Sequence, residues 1–426
     1  MNFTLLIVGM DANAYYMARC YHELTQKKAY LIGKNPIWFT QYSKIVNTNY
    51  YENMWNEEEF IKILNNFYEE HKQEKILLVS ATENYIELIS KNKEILKDKF
   101  YFNYSNIDII KTLSNKELFY KKYMDNGIID LPKTIYYNLK KYQKLDINFS
   151  YPLIIKAANV VEYRKLHFEG QNKIYKVKSK EELEKIINTI KIGGYQDTLI
   201  IQEYIEGDDS CLFDSVIYAD TKGSVKRITL AQIGLQEHKK DLVGNAAVLI
   251  NGYNQYEEKN IIERIKQFSE YIGITGFAEF DLKYDKKSKD YKLLEINPRQ
   301  GRSSYYLTSL GCNLIEILKK DLIDKEPLNY QVLNKEVLLS YVPKKIIKKY
   351  ILNEEYKNKA LKMYKSHINP IKYNKDFSLK RNYLLLKKDK RYYKDFKNGY
   401  WENKWGNKNG IYRKYWKKWI WRFFTK

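Results

Sequence analysis

The sequence predicts an α/β protein that begins with a parallel sheet and continues with antiparallel sheets. Residues 3–8, FTLLIV, form an apolar run that ends at Gly9 and precedes an amphipathic stretch; a strand, turn and helix in this order open a parallel α/β sheet. Two later segments alternate in polarity around a charged turn, which predicts a β-hairpin. The length of 426 residues, with 44% hydrophobic residues, is typical of a soluble globular protein with two or three domains.

The first 110 residues contain the elements of one α/β domain. The amphipathic stretch from Asn13 to Leu24 predicts a helix, and further strands are expected from Ala29 to Ile32 and from Ile76 to Val79. The segment GMDANAY lacks the second glycine of a dinucleotide-binding fingerprint, so Gly9 predicts only a tight turn. We therefore assign residues 1–110 to an N-terminal α/β domain and infer no cofactor site from Gly9 alone.

The next segments predict a helix and then a strand that ends in a lysine. Ser114 is expected to cap the helix, and Gly127 to end it. In YPLIIKAANVVEY, Lys156 lies at the end of an apolar strand. A half-buried ammonium group there requires an anionic partner, such as a phosphate.

The predicted hairpin lies within GITGFAEFDLKYDKKSKDYKLLEINPRQGRSS, at 273–304. Alternate strand residues share a face, and this places oxygen donors together on each strand: Glu279 and Asp281 on the first, Glu295 and Asn297 on the second. Mg²⁺ prefers such oxygen ligands. Arg299 and Arg302 follow in a turn that contains Pro298 and Gly301, and cations at this place suit a ligand whose phosphoryl group is transferred. The alternative interpretation is an edge hairpin with a solvated polar face.

The string LLEINPR after GFAEFDLKYD resembles the metal-binding hairpin of the ATP-grasp superfamily. These carboxylate–amine ligases make an acyl phosphate from ATP and a carboxylic acid, and then an amide. The resemblance implies a two-lobed ATP-grasp domain over 111–330, with a small lobe at 111–190 and a metal and ATP lobe at 191–330. It also implies ATP and Mg²⁺, with the metal ligands Asp281, Glu295 and Asn297, for which Glu279 competes with Asp281.

Matching the family's motifs residue by residue implies the remaining site. The phosphate contacts would be Lys116 and Lys156, and the transferred charge would be neutralised by Lys156 and Arg299. The third catalytic residue, Arg302, would lie with Ser303 and Ser304 where the carboxylate substrate or the acyl phosphate could be held. The adenine positions fall on Gln202, Glu203, Tyr204 and Ile205, and the ribose position falls on Asp209, for which Asp208 could substitute. The substrate contacts would be Ser303, Ser304, His238 and Asn245. The loop over 164–176 would cover the phosphates.

Further motifs resemble the D-aspartate ligase branch of this superfamily, over roughly residues 1–395. They include IQEYIEGDDS, NPRQGRSSYY and HINPIKYNKDFSLKRNYLL. The branch adds D-aspartate to the stem-peptide lysine of a peptidoglycan precursor, which implies an amino-acid carboxylate and an amine-bearing cell-wall precursor as substrates. A ligase that modifies another cell-surface or polysaccharide acceptor is the alternative.

The positive charge is concentrated at the C-terminus. Of the net +22, 20 charges lie in residues 331–426, a basic aromatic region that we set apart as an extension. It ends in IYRKYWKKWIWRFFTK, which on a helix would place an apolar arc beside six basic residues. Residues 411–426 therefore predict an interfacial helix on an anionic membrane. The alternatives are a helix docked on the protein's own core and, less favoured, a nucleic-acid site.

Two further features bear on the location and class of the protein. The chain has no apolar run of about 20 residues and no predicted signal peptide. We therefore expect a cytoplasmic protein, attached peripherally at the inner face of the plasma membrane. A non-enzymatic basic protein that binds membrane or nucleic acid would leave E-x-N-P-R unexplained.

Overall fold

Three β-sheets form the framework of the protein, which is seen here in a computed structural model. The structure describes residues 3–398 except 142–144, 240–241, 243 and 257–259. The first sheet is parallel, in the order β3-β2-β1-β4. Its strands are β1 (Phe3–Val8), β2 (Ala29–Gly33), β3 (Val46–Tyr50) and β4 (Lys75–Ser80), and its helices are α1 (Ala12–Thr25), α2 (Trp38–Gln41), α3 (Glu57–His71), α4 (Glu83–Lys91) and α5 (Lys93–Leu96).

The N-terminal α/β prediction is confirmed, with one strand added. The first helix starts at Asp11, whose side chain accepts a hydrogen bond from the Ala14 backbone amide at 3.0 Å. Strand β3, VNTNY, was not predicted because it lies at the sheet edge and exposes most of its polar side chains. An edge strand of this kind has no apolar alternation to reveal it.

The second sheet is antiparallel, in the order β5-β8-β6-β7. It follows α6 (Ile107–Ser114) and α7 (Lys116–Tyr123), and contains β5 (Thr134–Asn138), β6 (Leu153–Ala157), β7 (Tyr175–Val177) and β8 (Thr198–Glu203), with α8 (Val160–Lys165) and α9 (Lys180–Ile192). The predicted cap at Ser114 is wrong. Asn115 caps α7 instead, since its side chain accepts from the amides of Glu117 and Leu118. Strand β8 pairs within this smaller sheet, although the predicted lobe boundary at residue 190 would assign it to the larger lobe.

The third sheet has eight strands and contains the hairpin. Six of them follow the order β14-β13-β9-β11-β12-β16, and β10 and β15 extend from β9. The elements are β9 (Leu212–Ala219), β10 (Val225–Ile228), β11 (Ala231–Gln236), β12 (Ala246–Asn251), α10 (Ile261–Ile272), β13 (Gly276–Asp285), β14 (Asp290–Asn297), α11 (Tyr306–Ser309), α12 (Leu314–Leu318), β15 (Gln331–Val332) and β16 (Val337–Ser340). The predicted hairpin is therefore confirmed as β13 and β14.

The residues after 331 are partly integrated into the core. Strand β16 pairs with β12, and α13 (Lys344–Tyr350), α14 (Glu354–Met363) and α15 (Leu379–Lys397) follow. Buried side chains from these helices join the cluster that also holds one face of the first sheet. Within the described part of the chain, no helix is both long and apolar enough to cross a membrane. The predicted interfacial helix at 411–426 lies outside the described residues.

Candidate functional site

The hairpin pairs its polar residues across the two strands. Asp281 lies opposite Glu295, and Glu279 lies opposite Asn297. The Asn297 Nδ2 atom donates to Asp281 Oδ2 at 3.3 Å, so two acids and an amide predicted as metal ligands lie together. A bulge follows Asp281 in the pairing of the strands, and such bulges commonly re-aim side chains beside functional sites.

The electrostatics of these acids suit a bound cation. Burial raises the pKa of Asp281 well above its usual range, and the charges of Glu279 and Glu295 raise it further. A hard divalent cation would relieve this repulsion. In the described part of the chain, no group of three or more His, Cys, Asp or Glu residues is arranged to hold a metal. Two carboxylates and an amide match a Mg²⁺ ion that takes its other ligands from phosphate and water.

Glu279 is engaged in other contacts. Its Oε1 accepts a hydrogen bond from Ser303 Oγ, and its Oε2 lies 3.9 Å from Arg299 Nη1. Gly301 packs against the same carboxylate so closely that a Cβ there would lie 1.7 Å from Glu279 Oε2. These contacts tie Glu279 to the turn after the hairpin and leave Asp281 facing Glu295.

Three lysines surround the acids. Lys116 Nζ lies 2.7 Å from Glu295 Oε2. Burial raises the pKa of Glu295, but the charges of Lys116 and Lys173 outweigh burial and hold it at about 2. Burial and the charge of Lys116 lower the pKa of Lys156 to about 7. An additional negative charge, such as a phosphate, would stabilise the protonated form of Lys156.

Lys173 was not predicted as a site residue. It lies in the segment HFEGQNKIYKV of the expected phosphate-covering loop, and it lines the same space as Lys116 and Lys156. Burial lowers its pKa. The available signal was a lysine within a loop already expected to cover phosphates, but its position beside the acids depends on the fold of the smaller sheet.

An apolar cavity lies between the second and third sheets. Its walls include Ile154, Ile174, Leu212, Phe213, Leu282 and Leu294, and all four predicted adenine contacts line it: Gln202, Glu203, Tyr204 and Ile205. Gln202 is oriented at both ends of its amide, because Oε1 accepts from Lys156 Nζ at 3.0 Å and Nε2 donates to Thr134 Oγ1 at 2.9 Å. Glu203 Oε1 accepts from the Lys133 amide at 3.0 Å. The cavity suits a planar, largely apolar group with polar edges.

The predicted ribose contact lies in a neighbouring cavity. Asp208 and Asp209 both line it. Each carboxylate oxygen of Asp209 accepts a hydrogen bond at 2.7 Å from Gln236, one from its backbone amide and one from its Nε2. Asp209 therefore orients Gln236, which lines both cavities. His238 also lies in the neighbouring cavity, stacked on Phe396 at 4.1 Å, and burial lowers its pKa to about 4.

A polar cavity on the other side of the acids reaches the N-terminal domain. It is lined by strands of the third sheet and by helices and loops of the rest of the protein, among them Asn13, Glu83, Lys116, Lys173, Asn245, Asp281, Glu295, Arg299, Arg302 and Ser303. Arg299 Nη2 donates to Glu83 Oε1 at 3.0 Å. Glu83 lies at the start of α4, after strand β4, and was not predicted. The predicted substrate contact Ser304 is not among the residues that line this cavity. Its Oγ accepts a hydrogen bond from the Gly301 amide at 2.8 Å.

The two cavities meet at the acids. Lys116, Lys173, Asp281 and Glu295 line both of them. If a flat group with attached phosphates lay in the first cavity, its phosphates would therefore extend toward a polar cavity that three arginines line. This geometry suits phosphoryl transfer to a small anionic substrate, because such catalysis depends on positioning and charge neutralisation.

Comparison with known proteins gives one close relative in sequence and several in fold. The chain is 33% identical over 399 residues to a D-aspartate ligase of Enterococcus faecium, covering 90% of this chain and 93% of the relative. No protein-family profile matches the chain.

Two of the solved structures that share the fold are also ligases or synthetases. The L-amino acid ligase of Bacillus licheniformis has a TM-score of 0.54 at 18% identity and covers 77% of this chain and 75% of its own. The N5-carboxyaminoimidazole synthetase of Staphylococcus aureus, solved with ADP, has a TM-score of 0.58 at 13% identity and covers 84% and 87%. The predicted α/β class with antiparallel sheets is confirmed by these likenesses in fold.

Proposed function

Because the chain belongs to the D-aspartate ligase family of ATP-grasp carboxylate–amine ligases, and is thus an ATP-dependent enzyme that forms C–N bonds, we propose that it joins D-aspartate to the lysine amine of a peptidoglycan precursor. The name of the relative supports the donor. The acceptor rests on the resemblance of the sequence motifs to this branch. Another amine at the cell surface, or on a polysaccharide, is the second candidate acceptor.

One observation carries the proposed chemistry: Asp281, Glu295, Lys116 and Lys173 line both the apolar and the polar cavity, and Lys156 lines the apolar cavity beside them. Adenine would occupy the apolar cavity beside Gln202 and Tyr204. The phosphates would then lie among Lys116, Lys156 and Lys173. Asp281, Glu295 and Asn297 would hold Mg²⁺, which when bound neutralises phosphoryl charge.

In the first half of the reaction, a carboxylate oxygen of the donor attacks the γ-phosphorus of ATP. The new O–P bond forms as the bond from the γ-phosphorus to its bridging oxygen breaks, and ADP leaves with that oxygen. Lys156 and Arg299 neutralise the charge on the transferred group. Because the donor is itself an anion, these cations also reduce its repulsion from ATP.

In the second half, the acceptor amine attacks the acyl carbon. The C–N bond forms as the C–O bond to phosphate breaks, inorganic phosphate leaves with the electron pair, and the nitrogen loses a proton. Water competes with the amine for the acyl phosphate. The loop at 164–176, which brings Arg164 and Lys173 to the polar cavity, would exclude water while the intermediate exists.

The test follows the products of purified full-length protein with ATP, Mg²⁺ and single amino acids of either chirality. With a lysine-containing precursor, D-aspartate is expected to give ADP and phosphate in equal amounts. Without the acceptor, hydroxylamine is expected to trap a hydroxamate of the donor. Formation of AMP and pyrophosphate would contradict the acyl-phosphate route, and activity confined to another amino acid would contradict the donor.

The proposal includes attachment to the inner face of the plasma membrane. It is supported by the exposed face of α15, where Leu379, Tyr383 and Leu386 are 82%, 65% and 63% exposed. The helix holds eight basic and two acidic residues, and it ends 13 residues before the segment 411–426 begins. Apolar side chains flanked by lysines suit an anionic lipid surface, where lipid-linked cell-wall precursors would be found.

A further inference from the structure

Six carboxylates line the polar cavity, and five of them have partners in the described part of the chain. Glu295 lies 2.7 Å from Lys116, and Glu83 lies 3.0 Å from Arg299. The other three accept hydrogen bonds from Ser303 or Asn297; they are Asp214, Glu279 and Asp281. These five groups therefore already neutralise or orient other side chains, or belong to the proposed metal site.

Glu87 is the sixth carboxylate, and it differs from the others in two ways. It is exposed to solvent on α4, and in the described part of the chain it forms neither a hydrogen bond nor an ion pair. It follows Glu83 by one helical turn, so both side chains share a face of α4, and both line the cavity. Since Glu87 is exposed and still lines the cavity, it lies where the cavity opens to solvent.

Five basic residues line the same cavity: Lys116, Lys173, Arg164, Arg299 and Arg302. They suit the two anionic substrates, ATP and the donor, but they repel a cation. The acceptor is a cation, because a lysine amine has a pKa of about 10.4 and arrives from solution as an ammonium group. Among the described residues that line the cavity, Glu87 is the carboxylate that is available to attract it.

We propose that Glu87 binds the ammonium group of the acceptor lysine, and that α4 of the N-terminal domain is therefore part of the acceptor site. This assignment rests on the proposed ligase function. The ligand class is a primary amine that is protonated in solution, and Glu87 selects it by charge before the amine loses its proton and attacks. An amine that is uncharged at neutral pH, such as hydroxylamine, would react without help from Glu87.

Arg164 is a competing partner for Glu87. It is exposed near the end of α8 and lines the same cavity, and within the described residues it also forms no hydrogen bond or ion pair. A pair between these two residues would join α4 to α8 instead of binding a substrate. The binding experiment below therefore includes Arg164→Gln.

The first experiment separates capture of the acceptor from the rest of the reaction. At low ionic strength, Glu87→Gln in the full-length enzyme should raise the KM for a lysine-containing stem peptide about fivefold, the upper range for an exposed ion pair. Glu87→Lys should raise this KM further, and Glu87→Asp should raise it less. The kcat and the KM for ATP and for D-aspartate should remain within about twofold. Glu70→Gln, at an exposed position of α3 outside the cavity, is the matched control.

Hydroxylamine provides an internal test of the same variants. Hydroxamate formation from D-aspartate and ATP should be the same in wild-type protein and in all three Glu87 variants. An equal loss of hydroxamate would place Glu87 in the donor half of the reaction. A peptide KM of Glu87→Lys no higher than that of Glu70→Gln would show that Glu87 does not bind the ammonium group. Either result would overturn the assignment.

The second experiment measures binding alone, so that its failure is distinct from failure of the ligase function. Calorimetry compares the stem peptide with an analogue that has norleucine in place of lysine. Wild-type and Arg164→Gln proteins should bind the lysine peptide about fivefold more tightly than the analogue, whereas Glu87→Gln should bind both peptides equally.

The remaining outcomes are decisive. A preference for the lysine peptide that appears only in Arg164→Gln would show that Glu87 pairs with Arg164 in wild-type protein, and would overturn the proposal. The same preference in wild-type protein and Glu87→Gln would also overturn it. If ADP release never occurs but Glu87→Gln alone loses the preference, Glu87 binds the ammonium group and the ligase function fails.

Discussion

At the scale of single residues, the site is a balance of buried charges. Glu295 stays ionised because Lys116 and Lys173 lie beside it, whereas Asp281 faces two other carboxylates and its pKa is raised. Lys156 shows the opposite shift, because burial and the charge of Lys116 lower its pKa and favour its neutral form. Each of these groups would gain from the charges of a metal–nucleotide complex. The charges of these buried groups therefore suit the proposed metal–nucleotide ligand.

Glu295→Gln should lower kcat/KM by on the order of a hundredfold or more, because it removes a ligand charge from the proposed Mg²⁺ site. Asn297→Ala should act in the same direction. Steady-state kinetics at saturating Mg²⁺ would measure both, and circular dichroism would check that the fold is retained. Near-normal turnover of Glu295→Gln would remove the metal site from this hairpin.

Asp281→Asn and Glu279→Gln form a matched pair that separates the two candidates for the first-strand ligand. The contacts of Glu279 with Ser303 and Arg299 lead us to expect the larger loss, and the larger rise in Mg²⁺ requirement, for Asp281→Asn. The measurement is the Mg²⁺ dependence of the rate for each variant. A greater Mg²⁺ defect in Glu279→Gln would reverse the assignment.

Nucleotide binding should take up a proton above neutral pH. The pKa of Lys156 is about 7 in the free protein, so near pH 8 the side chain is mostly neutral. A phosphate beside it raises that pKa and restores the proton. Calorimetric titration with ADP in buffers of different ionisation enthalpy would count the protons, and Lys156→Met should lose the uptake. Equal uptake by wild-type and Lys156→Met proteins would assign the effect to another group.

At the scale of elements, the C-terminal region contains a buried ion pair that contacts the N-terminal domain through Tyr15. Arg381 and Asp376 are 2.9 Å apart, with side chains 1% and 0% exposed. Arg381 also stacks at 4.0 Å on the Tyr15 ring of α1, and Asp376 accepts from Tyr15 Oη at 2.8 Å. This region, set apart in the sequence by its charge, therefore packs against α1 of the N-terminal domain.

Arg381→Ala should destabilise the protein by about 3–5 kcal/mol, because it leaves Asp376 buried without its partner. Lys380→Ala, at the adjacent position of α15, is the control and should change the free energy of unfolding by less than about 0.5 kcal/mol. Urea unfolding of the full chain would measure both. A cost for Arg381→Ala no larger than that of the control would show that the ion pair and its contact with Tyr15 do not stabilise the fold.

At the scale of the whole molecule, α15 has one buried face and one exposed face. Tyr392 on its buried face reaches Arg302 in the site, while Leu379 and Leu386 on the opposite face are exposed. The exposed face of this helix is therefore available for the proposed contact with a membrane.

Truncation after Gly410 should reduce sedimentation with vesicles of phosphatidylglycerol and phosphatidylcholine. It removes six basic residues and the apolar side chains between them, and each basic residue contributes roughly 1 kcal/mol of binding free energy near an anionic surface. Leu386→Glu should reduce binding further, whereas Ile192→Glu, at an apolar position 87% exposed on α9, should not. Turnover of a soluble precursor should change little. Full-length protein that ignores such vesicles, or binds RNA in preference to them, would contradict the membrane assignment.

The sequence determined those parts of the protein that depend on local periodicity. Alternation with a period of two predicted the hairpin and placed Asp281, Glu295 and Asn297 on shared faces, and the hairpin pairing agrees. The four residues assigned to adenine all line the apolar cavity, for a similar reason. They are consecutive in the sequence, at the end of β8 and directly after it. A match to the family's motif at one of them therefore also locates the other three.

The tertiary structure alone decided the contacts between distant segments. Arg299 meets Glu83 across 216 residues of chain, and Arg302 meets Glu237 and Tyr392 across 65 and 90. No local pattern specifies such pairs, because they depend on how sheets and helices pack rather than on the period of either element. The same reason explains the C-terminal helices. Their charge suggested a separate extension, but their buried faces complete the core and bring Tyr392 to the site.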